Sequence, residues 1–167
     1  MAKFDSAEKL NLADIEITDV MTGDRDKRMF LYYQLIHSLK KAERVDIIVS
    51  FLMESGVKML LRELENALDR GAKIRILTGN YLGITQPSAL YLIKQKLGDR
   101  VDLRFYNEKN RSFHPKSYIF HYADYSEIYI GSSNISRSAL TSGIEWNYRF
   151  RNTSDAKNYE KFFHTFE

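Results

Sequence analysis

Cysteine is absent from the 167 residues. Its absence excludes disulfides, thiolate nucleophiles and cysteine-ligated zinc, and it fits a reducing compartment. Proline occurs only twice and glycine eight times, and there is no linker-like stretch, low-complexity tract or evident repeat that would mark an internal boundary. No apolar run approaches the roughly eighteen residues that a membrane-spanning helix needs. The opening MAKFDSAEKL also lacks the apolar core of a signal peptide. Together these absences predict a cytoplasmic chain without membrane association, with residues 1–167 forming a single domain.

What is present is enough for a core. At 44% hydrophobic residues, a chain of this length can bury a sizeable interior. The formal charge is +3, from 25 basic and 22 acidic side chains, a mild excess that permits a polyanionic partner without requiring one.

Short β-rich runs alternate with helical periodicity. Residues 14–20, 45–51, 73–78, 101–106, 116–122, 127–131 and 145–150 read as strands. Residues 28–42 put Leu31, Leu35, Ile36 and Leu39 on one helical face. Val57, Leu60, Leu61, Leu64 and Leu68 form a second apolar stripe that stops at Gly71. A third helix is predicted over 87–97, with a proline in its first turn and Gly98 after its end. This order predicts an α/β fold, a mixed β-sheet of about seven strands flanked by helices. The final NYEKFFHTFE begins an amphipathic helix with neither cap nor polar tail. It reads either as the end of an N-terminal fragment of a longer protein or as a natural chain ending in a frayed helix.

The chemistry concentrates in His114-Pro115-Lys116, in Asn134 within Gly131-Ser132-Ser133-Asn134, and in Glu145. His114 and Lys116 are two apart in a predicted strand, so both side chains can reach one face. A neutral imidazole near pH 7 can attack phosphorus without a metal, leaving a transferable phosphoramidate bond. His114 is therefore the candidate nucleophile. Glu145 is the candidate carboxylate that holds one imidazole tautomer and stabilises the imidazolium. Lys116 and Asn134 supply a cation and an amide donor for charge growing on nonbridging oxygens. Ser132 or Ser133 would add a hydroxyl, in a turn suited to close approach of backbone to phosphate. Each feature alone is weak, since His-x-Lys pairs arise by chance and GSSN is an ordinary turn; the joint spacing carries the weight. His37 and His164 suit surface or packing roles, and His121 suits a satisfied core histidine better than a second base.

Residues 113–146 resemble the phospholipase D superfamily motif, His-x-Lys followed by Gly-Ser-x-Asn. The likeness is strongest to the single-motif nuclease branch, which includes metal-independent restriction endonucleases and the phospholipase D-like domains at the N-terminus of some DEAD/H-box helicases. The segment GNYLGITQPSAL resembles the helicase-associated form. The resemblance implies a phospholipase D-like fold with His114 forming a phosphohistidine, Lys116 and Asn134 binding phosphate, Glu145 partnering His114, and no metal or other cofactor. The chain departs from the motif at His121, where an aspartate usually stands five residues after the lysine. Asp124 is the nearest acid. The interval before Gly131 is also longer than the common pattern, and a longer turn over 123–126 would absorb it.

Superfamily chemistry uses two motifs, one histidine attacking and the other protonating the leaving oxygen, whereas this chain carries one. The implied solution is a homodimer with a two-fold axis between two His114 residues. The expected substrate is a nucleic-acid phosphodiester, DNA ahead of RNA. Lys109, Arg111, Arg137, Arg149 and Arg151 would neutralise its backbone, with Arg137 counted among the substrate-binding residues. Tyr81, Tyr106 and Phe113 would either stack on bases or pack the sheet. The expected activity is thus a metal-independent DNA endonuclease, alone or joined to a helicase or restriction module. The alternatives are a non-catalytic nucleic-acid-binding and dimerisation module and, behind both, a phospholipid phosphodiesterase.

Overall fold

The computed structural model describes residues 17–25, 29–108 and 110–167. Seven strands form one mixed sheet: β1 (Val20–Met21), β2 (Arg44–Val49), β3 (Lys73–Gly79), β4 (Val101–Tyr106), β5 (Lys116–His121), β6 (Ser126–Gly131) and β7 (Asn147–Arg151). Their spatial order is β1-β7-β6-β5-β2-β3-β4. The α/β fold with about seven strands is therefore as expected. β2, β3 and β4 run parallel. They are joined by crossovers through α2 (Glu54–Asp69) and α3 (Pro87–Leu97), since parallel neighbours cannot be linked by a tight turn. The remaining pairs are antiparallel, and residues 122–125 close the β5–β6 hairpin, with Tyr122 N donating to Tyr125 O at 2.9 Å.

Two cores lie on the two faces of the sheet. In β2, Val45, Ile47 and Val49 join the main cluster, which also holds Leu31, Leu35 and Leu39 of α1 (Leu31–Leu39) and Val57, Leu60 and Leu64 of α2. The intervening Ile48 joins Ile119 and Ile128 in a smaller cluster under Tyr159, Phe163 and Phe166 of α5 (Ala156–Phe166). A central strand buried on both faces loses polar alternation, which is why RVDIIV reads as an almost continuous apolar run. The helical stripes fall where periodicity put them, and α3 has the expected bounds.

Asp46 interrupts β2 on the α5 side with its side chain fully buried. Its carboxylate takes Arg75 Nε at 2.6 Å and His121 Nε2 at 2.9 Å, and Arg44 lies at 3.0 Å. Burial alone would raise its pKa, but the hydrogen bonds from His121, Arg75 and Arg44 outweigh burial and hold the carboxyl well below the usual range. Glu167 of the C-terminal segment reaches both Arg44 and Arg75 at 2.6 Å. Phe163 and Phe166 lie under the same two guanidinium groups, at 5.4 and 4.5 Å. His121 is thus the satisfied histidine anticipated above, held between Asp46 and Ser126 Oγ at 3.0 Å.

Several element ends differ from expectation, among them the end of the first helix at Leu39 rather than 42 and of β2 at Val49 rather than 51. The first predicted strand, 14–20, begins outside the described residues, and β1 is only Val20–Met21, paired with β7. The first helix starts at Leu31; residue 28, its predicted start, lies outside the described residues. The last strand starts at Asn147 rather than 145, so Glu145 and Trp146 sit in the irregular segment before it. A short helix, α4 (Arg137–Thr141), was not predicted; Ser136 caps it by accepting from Ala139 N at 3.2 Å.

Two stability predictions follow from this packing. A Cβ on Gly56 would lie 2.5 Å from the backbone carbon of Ile135 and the nitrogen of Ser136. Gly56→Ala should therefore destabilise by about 1–3 kcal/mol through overpacking, read as a lower urea midpoint. The pKa of Asp46 is lower folded than its unfolded value of about 3.9. Its stabilisation is therefore fully present above that value and fades as pH falls toward the folded pKa. The stability difference between wild type and Asp46→Asn should shrink from pH 7 to about pH 2 in denaturant titrations, and a pH-independent difference would refute the assignment.

Candidate active site

The strand order brings the motif together. β5 begins where β2 ends, with Lys116 paired to Val49, and β6 ends where β7 begins, with Gly131 paired to Asn147. Because β7, β6, β5 and β2 are neighbours, His114, Lys116, the 131–134 turn and Glu145 all emerge at one edge of the sheet. Gly131 is required there: a Cβ would collide with the Trp146 carbonyl and the Asn147 side chain.

Asn134 locks this edge. Its Oδ1 accepts from Ser50 N at 2.9 Å and Phe51 N at 3.2 Å, two donors just past the end of β2. Ser50 Oγ in turn donates to Pro115 O at 3.1 Å. With Oδ1 committed to two N–H groups, the Nδ2 of Asn134 is the end of the amide left to donate. Sequence reading did not reach Ser50, because a serine after a strand carries no distinguishing signal of its own.

Lys116 is buried, and its ammonium donates to His114 Nε2 at 2.9 Å and to the His114 carbonyl at 2.9 Å. A donor at Nε2 makes that nitrogen the unprotonated one and assigns the proton to Nδ1. Desolvation and the neighbouring Lys116 charge push the His114 pKa below the ordinary imidazole value. Desolvation also lowers the pKa of Lys116, while the Glu145 carboxylate works in the opposite direction. The result is a neutral imidazole near pH 7, with its lone pair beside a cation. The Tyr81 ring stands against His114, with centroids 4.2 Å apart.

Glu145 reaches this cluster differently from the expected arrangement. Among the described residues, its hydrogen bond comes from the Ser132 hydroxyl rather than from the His114 ring. Ser132 Oγ also accepts from Trp146 N at 3.1 Å. The two serines of the turn separate in role. Ser132 is exposed, but Ser133 is fully buried, accepting from Asn147 Nδ2 at 2.9 Å and donating to Ala139 O at 3.4 Å. Ser133 is therefore enclosed within the fold, and Ser132 is the serine of the turn that is open to solvent.

The expected basic cluster also divides. Arg137 is exposed at the start of α4, and Arg111 is exposed near His114. Arg149 is buried and paired with Asp19 at 2.7 Å, with Glu127 at 3.6 Å, and Arg151 leans toward Glu127 at 3.8 Å. Arg149 is enclosed, and Arg151, though exposed, pairs with Glu127 at the end of β6 opposite the Gly131 end that carries the motif. Lys109 lies outside the described residues. Among the described residues, no group of three or more His, Cys, Asp or Glu is placed to hold a metal ion, and no helix is long and apolar enough to cross a membrane.

A mixed seven-stranded sheet with a His, Lys, Asn and Glu set at one edge defines an α/β protein of phospholipase D type. Residues 35–166 match the family described as "Cardiolipin synthase, PLD-like domain", and the chain belongs to that family. Among solved structures, it is similar to the phospholipase D family member Nuc from Salmonella typhimurium, with TM-score 0.60 and 16% identity over 80% of this chain and 84% of that one. It is also similar to NucT from Helicobacter pylori, with TM-score 0.56, 16% identity and the same coverage. Phosphatidylserine synthase from Haemophilus influenzae matches with TM-score 0.57 and 13% identity, over 78% of this chain and 35% of that one. No match to a curated protein sequence reaches significance.

The site geometry predicts the titration of His114. Its pKa should lie below that of an ordinary imidazole in NMR titrations, and Lys116→Met should raise it by removing the adjacent cation. A value that stays the same or falls in Lys116→Met would show that the ammonium does not act on the ring.

Proposed function

We propose that this chain is a metal-independent phosphodiesterase of the nuclease branch, acting on DNA through a covalent phosphohistidine. The observation that carries this reading is the 2.9 Å approach of Lys116 Nζ to His114 Nε2 at the same sheet edge as the Asn134 amide. In the first step His114 Nε2 forms a bond to phosphorus as the P–O bond to the leaving group breaks. Lys116 turns from the imidazole to the phosphoryl oxygens, and Asn134 Nδ2 donates to the same group. Glu145 exchanges Ser132 for the imidazole and stabilises its positive charge. In the second step water attacks phosphorus, the P–N bond breaks, and a phosphomonoester leaves.

The leaving oxygen needs a proton in the first step, and the water must lose one in the second. We assign both to His114 of a second copy across a two-fold axis. Ile144 and Trp146, 86% and 72% exposed, flank Glu145. Such apolar side chains beside a polar site suit a surface covered by another subunit. The active species is then a homodimer. In the same reading the domain cleaves DNA alone or as a module joined to a helicase or restriction module. The chain's similarity to Nuc and NucT supports a nucleic-acid substrate. The apolar Ile144 and Trp146 also leave a phospholipid diester as the competing substrate.

Wild-type protein should cleave labelled DNA in excess EDTA, elute at twice the chain mass in gel filtration with light scattering, and leave phosphatidylglycerol vesicles intact. His114→Ala should lose about a thousandfold or more of the rate while keeping dimerisation and DNA affinity. Unchanged cleavage by His114→Ala would refute the mechanism. Binding without cleavage by either protein would leave a non-catalytic binding module.

A further inference from the structure

Beside His114 lies a second feature that the cleavage chemistry does not use. A groove of about 470 Å³ opens between the turn at residues 80–82 and residues 106–108 and 110–113. That volume falls in the range of pockets that hold one small ligand. Tyr81 both lines the groove and touches the His114 ring. Phe113 and Tyr106 line it as a stacked pair, 4.6 Å between centroids and 20° between planes. The rim is polar, with Asn107, Asn110 and Arg111, and with Glu108, whose carboxylate accepts from the Tyr106 hydroxyl at 2.6 Å.

The groove is held in shape from beneath. Thr85 Oγ1 donates to Gly79 O at 2.5 Å and accepts from Leu52 N at 3.3 Å, tying the turn to the ends of β3 and β2. Phe113 lies over Gly79, where any Cβ would come within 2.8 Å of its ring. Leu82 is held at φ +52, in the left-handed region that a leucine rarely adopts, and is 78% exposed. Such a conformation is unfavourable for a side chain that carries a Cβ. A strained, anchored turn that presents a large apolar side chain to solvent next to a nucleophile has the character of a preformed binding wall.

We propose that this groove is a nucleobase subsite that makes the enzyme act on single-stranded nucleic acid, an inference that rests on the nuclease reading above. An unpaired base stacks on Tyr81 and Leu82 above the Tyr106–Phe113 pair, and Asn107 and Asn110 face its polar edge. Arg111 meets the adjoining phosphate, which sets the next phosphodiester at His114. A duplex cannot enter this way, because its base faces are already covered by their neighbours. Aromatic stacking tolerates any base, so the subsite selects strandedness rather than sequence.

The test measures binding separately from cleavage. His114→Asn protein in EDTA is titrated by fluorescence anisotropy with a labelled eight-residue thymidine oligonucleotide, with the same backbone carrying abasic sites at alternate positions, and with a duplex of equal length. The intact single strand should bind at least about tenfold more tightly than the abasic strand or the duplex, as expected for one or more stacked bases. Adding Tyr81→Ala should weaken single-strand binding about fivefold or more and leave abasic binding unchanged, while Tyr81→Phe restores it. Equal affinity for intact and abasic strands, or for single strand and duplex, overturns the proposal, and neither arm depends on any groove variant folding. Base-dependent binding with no cleavage by wild type would uphold the subsite and remove the nuclease reading. Cleavage of intact and abasic strands with equal kcat/KM would do the reverse.

Discussion

The carboxamide of Asn134 is the contact on which the rest of the site depends. By accepting from Ser50 and Phe51 N–H, it satisfies two donors at the end of β2 and ties the turn after β6 to a strand two places away in the sheet. Ser50 Oγ extends the tie to Pro115, at the entrance of β5. Three chain segments that are distant in sequence are thereby held in one register, and His114, Lys116 and the 131–134 turn inherit their relative positions from it. Without the amide oxygen, backbone donors at a largely closed edge would lose their partner, at a cost of about 1–3 kcal/mol for each buried group left unsatisfied.

Charge is distributed along the strands in a way that follows from the same register. At the motif end, Lys116 is buried with an imidazole and a carbonyl as its hydrogen-bond partners, and Glu145 influences it only through space. At the opposite end, buried carboxylates are fully engaged. Asp46 is surrounded by Arg44, Arg75 and His121, and Glu127 accepts from Ser38 at 2.6 Å and Tyr122 at 2.5 Å beside Arg149. Buried charge at that end is compensated within the fold, as stability demands. The motif end instead keeps a buried cation whose two hydrogen-bond partners, an imidazole nitrogen and a carbonyl, carry no formal negative charge.

Much of this was legible beforehand, for identifiable reasons. α2 and α3 were readable because apolar residues at helical spacing bury one face, and Pro87 and Gly98 mark the ends of α3. β2 was readable because a strand covered on both faces loses its polar residues, and even there Asp46 gave no sign of its partners. β1 was poorly legible: two residues carry no periodicity, and this strand exists only because β7 offers an edge. α4 was missed because five residues are too few for a periodic signal and its helix depends on the Ser136 cap. Arg149 illustrates the opposite failure, since an arginine near a phosphate-binding motif looks available until its strand face is known.

By itself, the sequence determined the residue types and their order: a histidine two positions before a lysine, a glycine that allows a tight turn, an asparagine and a glutamate, all on a pattern of strands and helices. Local spacing carries that information because side-chain direction in a strand and apolar periodicity in a helix are short-range properties. The tertiary structure alone decided that Ser133 is enclosed while Ser132 holds Glu145, that Arg149 and Arg151 turn toward Glu127, and that Tyr81 stands against His114. Those outcomes depend on strand register, where a shift of one residue exchanges the two faces of the sheet, and on burial, which determines which polar groups must find partners inside the protein and which remain free to meet a substrate.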